Sequence, residues 1–202
     1  MLSSSTNMQA DENHKTETMP IGRQIRELRK AKGLSTDALA KAIGKSAGYI
    51  NNIEHERNEV TVTALKSIAD ALNVHISWFF QAINMPSADE MGFVVRHDNR
   101  RELQLAKAGI YEELLSPSLS GDIQMVLSTF APGAVTGEKA TKTDAEMAGF
   151  VLSGAIDLQI DDRQFHLEKG DSFLVPKGAS RKCENKSSED SITLWVNTPP
   201  VY

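Results

Sequence analysis

Residues 34–58 read LSTDALAKAIGKSAGYINNIEHERN, and this stretch decides the fold of the N-terminal part of the chain. Ser35 and Ser46 are each placed to take up a free backbone N–H at a helix start. Leu39, Ala40 and Ile43 recur on one face behind the first cap, and Ile50 and Ile53 behind the second. Between them Gly44 supplies the left-handed conformation that ends a helix. The pattern predicts two short helices joined by a tight turn, the geometry that sets the second helix into the major groove of DNA. The outer face of that second helix would carry Ala47, Gly48, Tyr49, Asn51 and Asn52. Asparagine amides pair bidentately with adenine, and Ala47 and Gly48 let the helix start approach the base edges. Lys45 in the turn and Arg57 beyond the helix are placed for phosphates, with Asn58 as a neutral donor and Ser46 at the cap.

Flanking helices give this pair a context. Residues 21–32 carry Ile21, Ile25 and Leu28 at helical spacing and stop at Gly33. Residues 62–72 carry Leu65, Ile68, Ala69 and Leu72 behind a Thr61 cap and stop at Asn73. A last turn over 76–80 adds Trp78, Phe79 and Phe80. Five short helices over residues 20–80 make a compact all-helical domain. With Leu34-Ser35, Leu39-Ala40, Gly44, Ser46, Ile50, Ile53-Glu54 and Ala71-Leu72-Asn73-Val74 in place, the stretch resembles the lambda-repressor-like, or XRE-family, helix-turn-helix domain. Two positions depart from the family pattern. Thr36 stands where the resemblance implies a glutamine on the DNA backbone, and Glu56 stands where it implies a glycine after the recognition helix.

Charge divides the chain in the same place. Residues 20–81 hold nine Lys and Arg against six Asp and Glu, whereas residues 82–202 hold twelve against eighteen, within an overall net charge of −5. A positive excess on a small domain suits phosphate contact. No apolar run reaches the length of a membrane span, about eighteen residues or more, and there is no signal-peptide core. The single cysteine, Cys183, forms no internal disulfide and fits a reducing, cytoplasmic setting, where a lone strand thiol is expected to be inert. Residues 1–19 are polar and rich in Ser, Thr and Asn, and read as a disordered tail.

Residues 81–91, with Pro86, Ser87 and Ala88, read as a linker. Beyond it the period becomes two. Ile156, Leu158 and Ile160 alternate with polar residues, as do Phe165 and Leu167, and Ile192, Leu194 and Val196 alternate with Thr193, Trp195 and Asn197. Asp161-Asp162 sits between two such runs as a hairpin turn. Many short strands predict a sandwich or barrel. The run from Gly170-Asp171-Ser172-Phe173 to Val175-Pro176-Lys177-Gly178, followed by Asn185, resembles the second signature of the cupin family, and Phe150-Val151-Leu152-Ser153-Gly154 resembles the end of the first. The Pro199-Pro200 pair is similar to the close of regulators that join this barrel to an XRE domain. The fold expected is therefore multidomain α plus all-β: an N-terminal five-helix lambda-repressor-like domain and a C-terminal cupin (jelly-roll) β-barrel over residues 92–202.

The resemblance implies a metal site made of two histidines and a glutamate from the first motif and a histidine from the second. Here Arg181 stands at the second motif's histidine position, and Met147 at the glutamate position. Thr141 and Thr143 occupy the ground of the other ligands, and no histidine lies between His97 and His166. Guanidinium has no lone pair to give. The expectation is a barrel with no metal, no cofactor and no catalytic residues. His166 alternates out of phase with its apolar neighbours and His97 precedes an exposed-looking turn over 98–101. Small barrels hold small ligands, and Arg181 suits a carboxylate, phosphonate or sulfonate. An anionic effector held by Arg181, with Thr141, Thr143, Tyr111 and Trp195, is set against an Arg181–Glu146 ion pair in a closed barrel. The expectation is a homodimeric regulator on a two-fold operator, a repressor by resemblance, sensing an effector. A barrel that only dimerises, and a cupin enzyme, stay open at this point.

Overall fold

The computed structural model describes residues 18–81, 83–103, 109–119 and 121–201; the tail expected over 1–19 falls almost wholly outside them. The helical unit comprises α1 (Ile21–Ala31), α2 (Thr36–Ala42), α3 (Ala47–Glu54) and α4 (Val62–Ala71). Four α-helices form, where five were expected. The fifth, Ile76–Phe80, is a 3-10 turn, short enough for its tighter hydrogen bonds to close it before an α-helix can propagate.

The starts of α2, α3 and α4 follow their caps. The hydroxyls of Ser35, Ser46 and Thr61 accept from the backbone N–H of Ala38, Tyr49 and Ala64 at 3.0, 3.2 and 3.2 Å. Gly44 and Asn73 take the left-handed φ, +66° and +51°, after α2 and α4. Ile25, Leu28, Leu39, Ile50, Ile53, Leu65, Ile68 and Leu72 fill the core, all buried. Arg29 and Glu54 join α1 to α3 inside it. Their side chains meet through Arg29 Nε at 2.6 Å and Nη2 at 2.8 Å, while Nη1 donates to the Leu34 carbonyl at 2.7 Å. A fork so completely matched satisfies both buried charges.

Glu56, the departure after the recognition helix, adopts φ +56°, which costs a non-glycine residue about 1 kcal/mol. Its side chain offsets that cost. Glu56 Oε1 accepts from the Arg23 N–H at 3.0 Å and caps α1, whose own N-cap, Pro20, makes no side-chain cap bond. The approach is possible because residue 22 is glycine: a Cβ there would fall 2.0 Å from the Ile53 carbonyl oxygen.

Among the described residues the β unit holds ten strands in two sheets, one of six in the order β1-β2-β3-β10-β5-β8 and one of four in the order β4-β9-β6-β7. These are β1 (Arg101–Leu103), β2 (Ile110–Leu114), β3 (Gln124–Phe130), β4 (Thr141–Lys142), β5 (Glu146–Ser153), β6 (Ala155–Ile160), β7 (Arg163–Glu168), β8 (Ser172–Val175), β9 (Ser180–Glu184) and β10 (Ser191–Thr198). The sheets remain separate, so the closed barrel expected is not formed among the described residues; a two-sheet jelly roll manages its edges without full closure. Asp161, φ +49°, turns β6 into β7 as its sequence implied.

In β10 the phase puts the polar set inside. Ser191, Thr193, Trp195 and Asn197 are buried, while Ile192, Leu194 and Val196 face outward beside the exposed Phe150, Leu152 and Leu174. The two units touch directly. Arg101, expected in an exposed turn, is buried instead: Nη1 donates to Gln24 Oε1 at 3.0 Å and to the Trp78 carbonyl at 2.8 Å, and the guanidinium lies 4.5 Å from the Trp78 ring centroid. Burial lowers its pKa to about 10. The Gln81 amide pairs with both backbone groups of Glu102, at 2.7 and 2.9 Å, as a strand neighbour would. The segment read as a linker is tied as well, since Asn84 exchanges two hydrogen bonds with the Asn99 side chain at 2.6 and 2.9 Å.

Candidate DNA-binding surface and interior cavity

On the helical unit the residues singled out for DNA lie at the start of α2, in the turn before α3, along α3 and just beyond it. Lys45, Ser46, Gly48, Asn51, Arg57 and Asn58 are exposed; Thr36, Ala47, Tyr49 and Asn52 are half-buried. Tyr49 packs against the core and carries the Lys45 ammonium 5.5 Å from its ring centroid, so the ring positions that cation rather than standing free. Gly48 and Asn51 are the most open positions of α3, with the Ser46 cap beside them. A helix start with small residues and one free amide can enter a groove without steric cost.

Inside the β unit lies a cavity of about 560 Å³. Its floor comes from the six-stranded sheet, through Ile110, Glu112, Gln124, Val126, Phe130, Met147, Trp195 and Asn197. Strand alternation puts these on one face. Arg181 and Thr141, paired across β9 and β4, face them from the other sheet. The rim belongs to the helical unit: Asn73, Val74, His75, Ser77, Trp78 and Gln81 line it. The interior is thus walled by both units, and the 3-10 turn is what brings the first unit to its mouth.

Several side chains hold the cavity's shape. Arg181 Nε donates to Met147 Sδ at 3.1 Å, so the two residues standing at metal-ligand positions of the cupin pattern meet each other. The Arg181 guanidinium sits 5.1 Å from the Trp195 ring centroid. Trp195 Nε1 donates to Thr193 Oγ1 at 2.8 Å, and Phe173 meets the indole edge-on at 4.8 Å between centroids. Phe173 can lie there because Gly149 has no side chain; a Cβ would fall 2.0 Å from the phenyl ring. Glu112 accepts from the Ser128 hydroxyl at 2.8 Å, and burial pushes its carboxyl above the usual range against the opposing effect of that bond and of Arg181.

Of the residues expected around an effector, Arg181, Thr141 and Trp195 line the cavity and three do not. Tyr111 points to the outer face, where it is 45% exposed, because β2 turns Ile110, Glu112 and Leu114 inward. Thr143 accepts from the Ala145 N–H in a turn at 3.2 Å, and Glu146 is exposed and makes no ion pair with Arg181. Glu112, Gln124 and Asn197 were missed; in the sequence they are polar members of alternating runs whose phase only the register reveals.

A cupin metal does not fit here. No group of three or more His, Cys, Asp or Glu converges among the described residues, and an arginine occupies the ligand ground. His166 is on the surface, bonded to Asp157 at 2.6 Å. Cys183 is buried, and burial raises its thiol to about 11, which keeps it un-ionised. No helix among the described residues is long and apolar enough to cross a membrane.

Known proteins show the same two units. A helix-turn-helix family profile matches residues 25–79, and a cupin domain profile matches residues 126–197. The HTH-type transcriptional regulator PuuR of Escherichia coli is 26% identical over 187 residues, 92% of this chain and 98% of that protein. Among solved structures, a helix-turn-helix family transcriptional regulator from Vibrio cholerae covers 90% of this chain and 96% of its own at 19% identity and a TM-score of 0.41. Hydroxypropylphosphonic acid epoxidase from S. wedmorenis covers 91% and 99% at 19% identity and a TM-score of 0.45. At these scores neither structure bears on function. The chain thus joins an XRE-type helix-turn-helix domain to a C-terminal cupin domain, and along nearly its full length it is similar to an HTH-type transcriptional regulator.

Proposed function

We propose that the chain is a sequence-specific repressor whose cupin domain senses a small molecule bearing an anionic group. The observation that carries this reading is the shared cavity: Arg181 and Trp195 of the β unit face Trp78 and His75 of the helical unit across one space. A ligand there touches both units, and an occupied cavity favours one arrangement of them over another. Differential affinity for two arrangements is what changes operator binding. Arg181 supplies a fixed positive charge for the anion, with Thr141 as a neutral partner.

On DNA, α3 enters the major groove with Asn51 and Asn52 toward base edges, and Thr36, Lys45, Ser46, Arg57 and Asn58 hold phosphates. Two copies are needed to read a two-fold operator. The outward row of Ile192, Leu194 and Val196, with Phe150, Leu152 and Leu174, supports a homodimer through the six-stranded sheet, since an apolar face of this kind gains by being covered.

The test is binding of purified protein to DNA fragments from around its own coding region, at fixed salt with competitor DNA, while small carboxylates, phosphonates and sulfonates are screened for release. Tight, salt-sensitive binding weakened by one anion class is the expected result. Specific binding indifferent to every compound would make the cupin domain a dimeriser only, and no specific binding would overturn the assignment of α3 to base contacts.

A further inference from the structure

The cavity is lined by one guanidinium, Arg181, and by two carboxylates, the exposed Glu102 and the interior Glu112, and among the described residues Arg181 forms an ion pair with neither. Arg181 comes from β9 in one sheet and Glu112 from β2 in the other. Arg181 is engaged by the Met147 sulfur and the Trp195 ring, and Glu112 by the Ser128 hydroxyl. Elsewhere in the molecule buried opposite charges that can meet do so, as Arg29 and Glu54 show at 2.6 Å. Two opposite charges facing one space, each held from behind by a neutral partner, leave their free sides for something else.

A ligand of a single sign cannot satisfy both. A simple carboxylate bound at Arg181 would lie in the field of the Glu112 carboxylate, and a simple amine at Glu112 would lie in that of Arg181. We propose that the cavity takes a zwitterionic small molecule, an amino-carboxylic acid whose carboxylate is held by Arg181 and whose ammonium group faces Glu112. This rests on the sensor reading above and names the ligand class for the same site. Ile110, Val126 and Phe130 supply the apolar wall for the carbon skeleton. The raised pKa of the buried Glu112 carboxyl agrees, because a carboxylate that burial disfavours is the group that gains most from an incoming cation.

The test uses the full chain and matched probes: α- and ω-amino acids and, for each carbon skeleton, the primary amine lacking the carboxylate and the carboxylic acid lacking the amine. Melting shifts rank the compounds and calorimetry measures the best set. The amino acid is expected to bind at least about tenfold tighter than either fragment. Glu112→Gln keeps an acceptor for Ser128 and is expected to lose the tenfold preference, the acid's affinity holding or rising once the opposing carboxylate is gone; Arg181→Gln loses both ligands. An acid that binds as tightly as its amino acid, or a preference that survives Glu112→Gln, overturns the zwitterion while an anion sensor at Arg181 stands. No shift with any probe overturns both. The ligand comparison in the unsubstituted chain decides the matter without relying on how either variant folds.

Discussion

Arg29 and Glu54 in the helical unit meet with every polar atom of the fork matched, whereas Arg181 and Glu112 in the β unit face one cavity without touching. The first interior is closed and apolar around a single ion pair. The second mixes polar residues into an apolar interior, most plainly along β10, where Thr193, Trp195 and Asn197 point in and Ile192, Leu194 and Val196 point out. The difference teaches what each interior is for. Matched buried charges fix a shape, here the angle between α1 and α3; unmatched ones around a space are where the proposed ligand would bind, and the outward apolar row is what the proposed dimer would cover.

Breaking the matched pair should have the largest effect. Glu54→Ala strands the Arg29 guanidinium and is expected to remove about 3–5 kcal/mol from the helical unit in urea unfolding, with operator binding lost at temperatures where the parent binds. The double change Arg29→Met with Glu54→Leu should recover most of that stability. Next comes the contact between the units. Arg101→Ala removes donors to Gln24 and to the Trp78 carbonyl and is expected to cost about 2 kcal/mol; its sharper readout is a melting curve that separates into two transitions. Asn51→Ala, on the open face of α3, should weaken operator binding about tenfold with no change in melting temperature.

Arg181→Gln sharpens the comparison from the other side. Because the guanidinium forms no ion pair and gives Glu112 only a through-space field, stability should fall by about 1 kcal/mol or less, in contrast to Glu54→Ala. The smallest effect belongs to the exposed pair of His166 and Asp157. Bonding to Asp157 raises the histidine above its ordinary value, and Lys186 first, then His166, lowers the aspartate. The raised histidine contributes fully below its unfolded pKa and loses that contribution as pH rises through its folded pKa; the lowered aspartate contributes above its unfolded pKa and loses it as pH falls through its folded one. His166→Gln should therefore lower the melting temperature slightly at pH 5.5 and not at pH 9.

Much of the helical unit was legible because its signals are local. Ser35, Ser46 and Thr61 cap within three residues, and Gly44 and Asn73 end helices by their own conformation. The Arg29–Glu54 fork was not, since its partners lie 25 positions apart and each looks like an ordinary surface charge on its own helix. Glu56 was marked as a departure, but its return contact to Arg23 spans 33 positions and appears only once Gly22 lets the helices close. In the β unit the alternation was legible and its phase was not. Tyr111 was placed in the cavity and Glu112 overlooked because adjacent residues on a strand exchange faces with a shift of one.

One cavity is walled by both units, and the chain's two tryptophans allow a direct test of that sharing, since Trp78 stands on the helical side and Trp195 on the β side. The measurement is intrinsic fluorescence of the Trp195→Phe variant, in which Trp78 alone emits, titrated with the probe that shifts melting most in the unsubstituted chain. The account predicts a saturable change in Trp78 emission with the affinity found by calorimetry on the same variant. Binding that leaves Trp78 emission unaltered would contradict it, confining the ligand to the β unit.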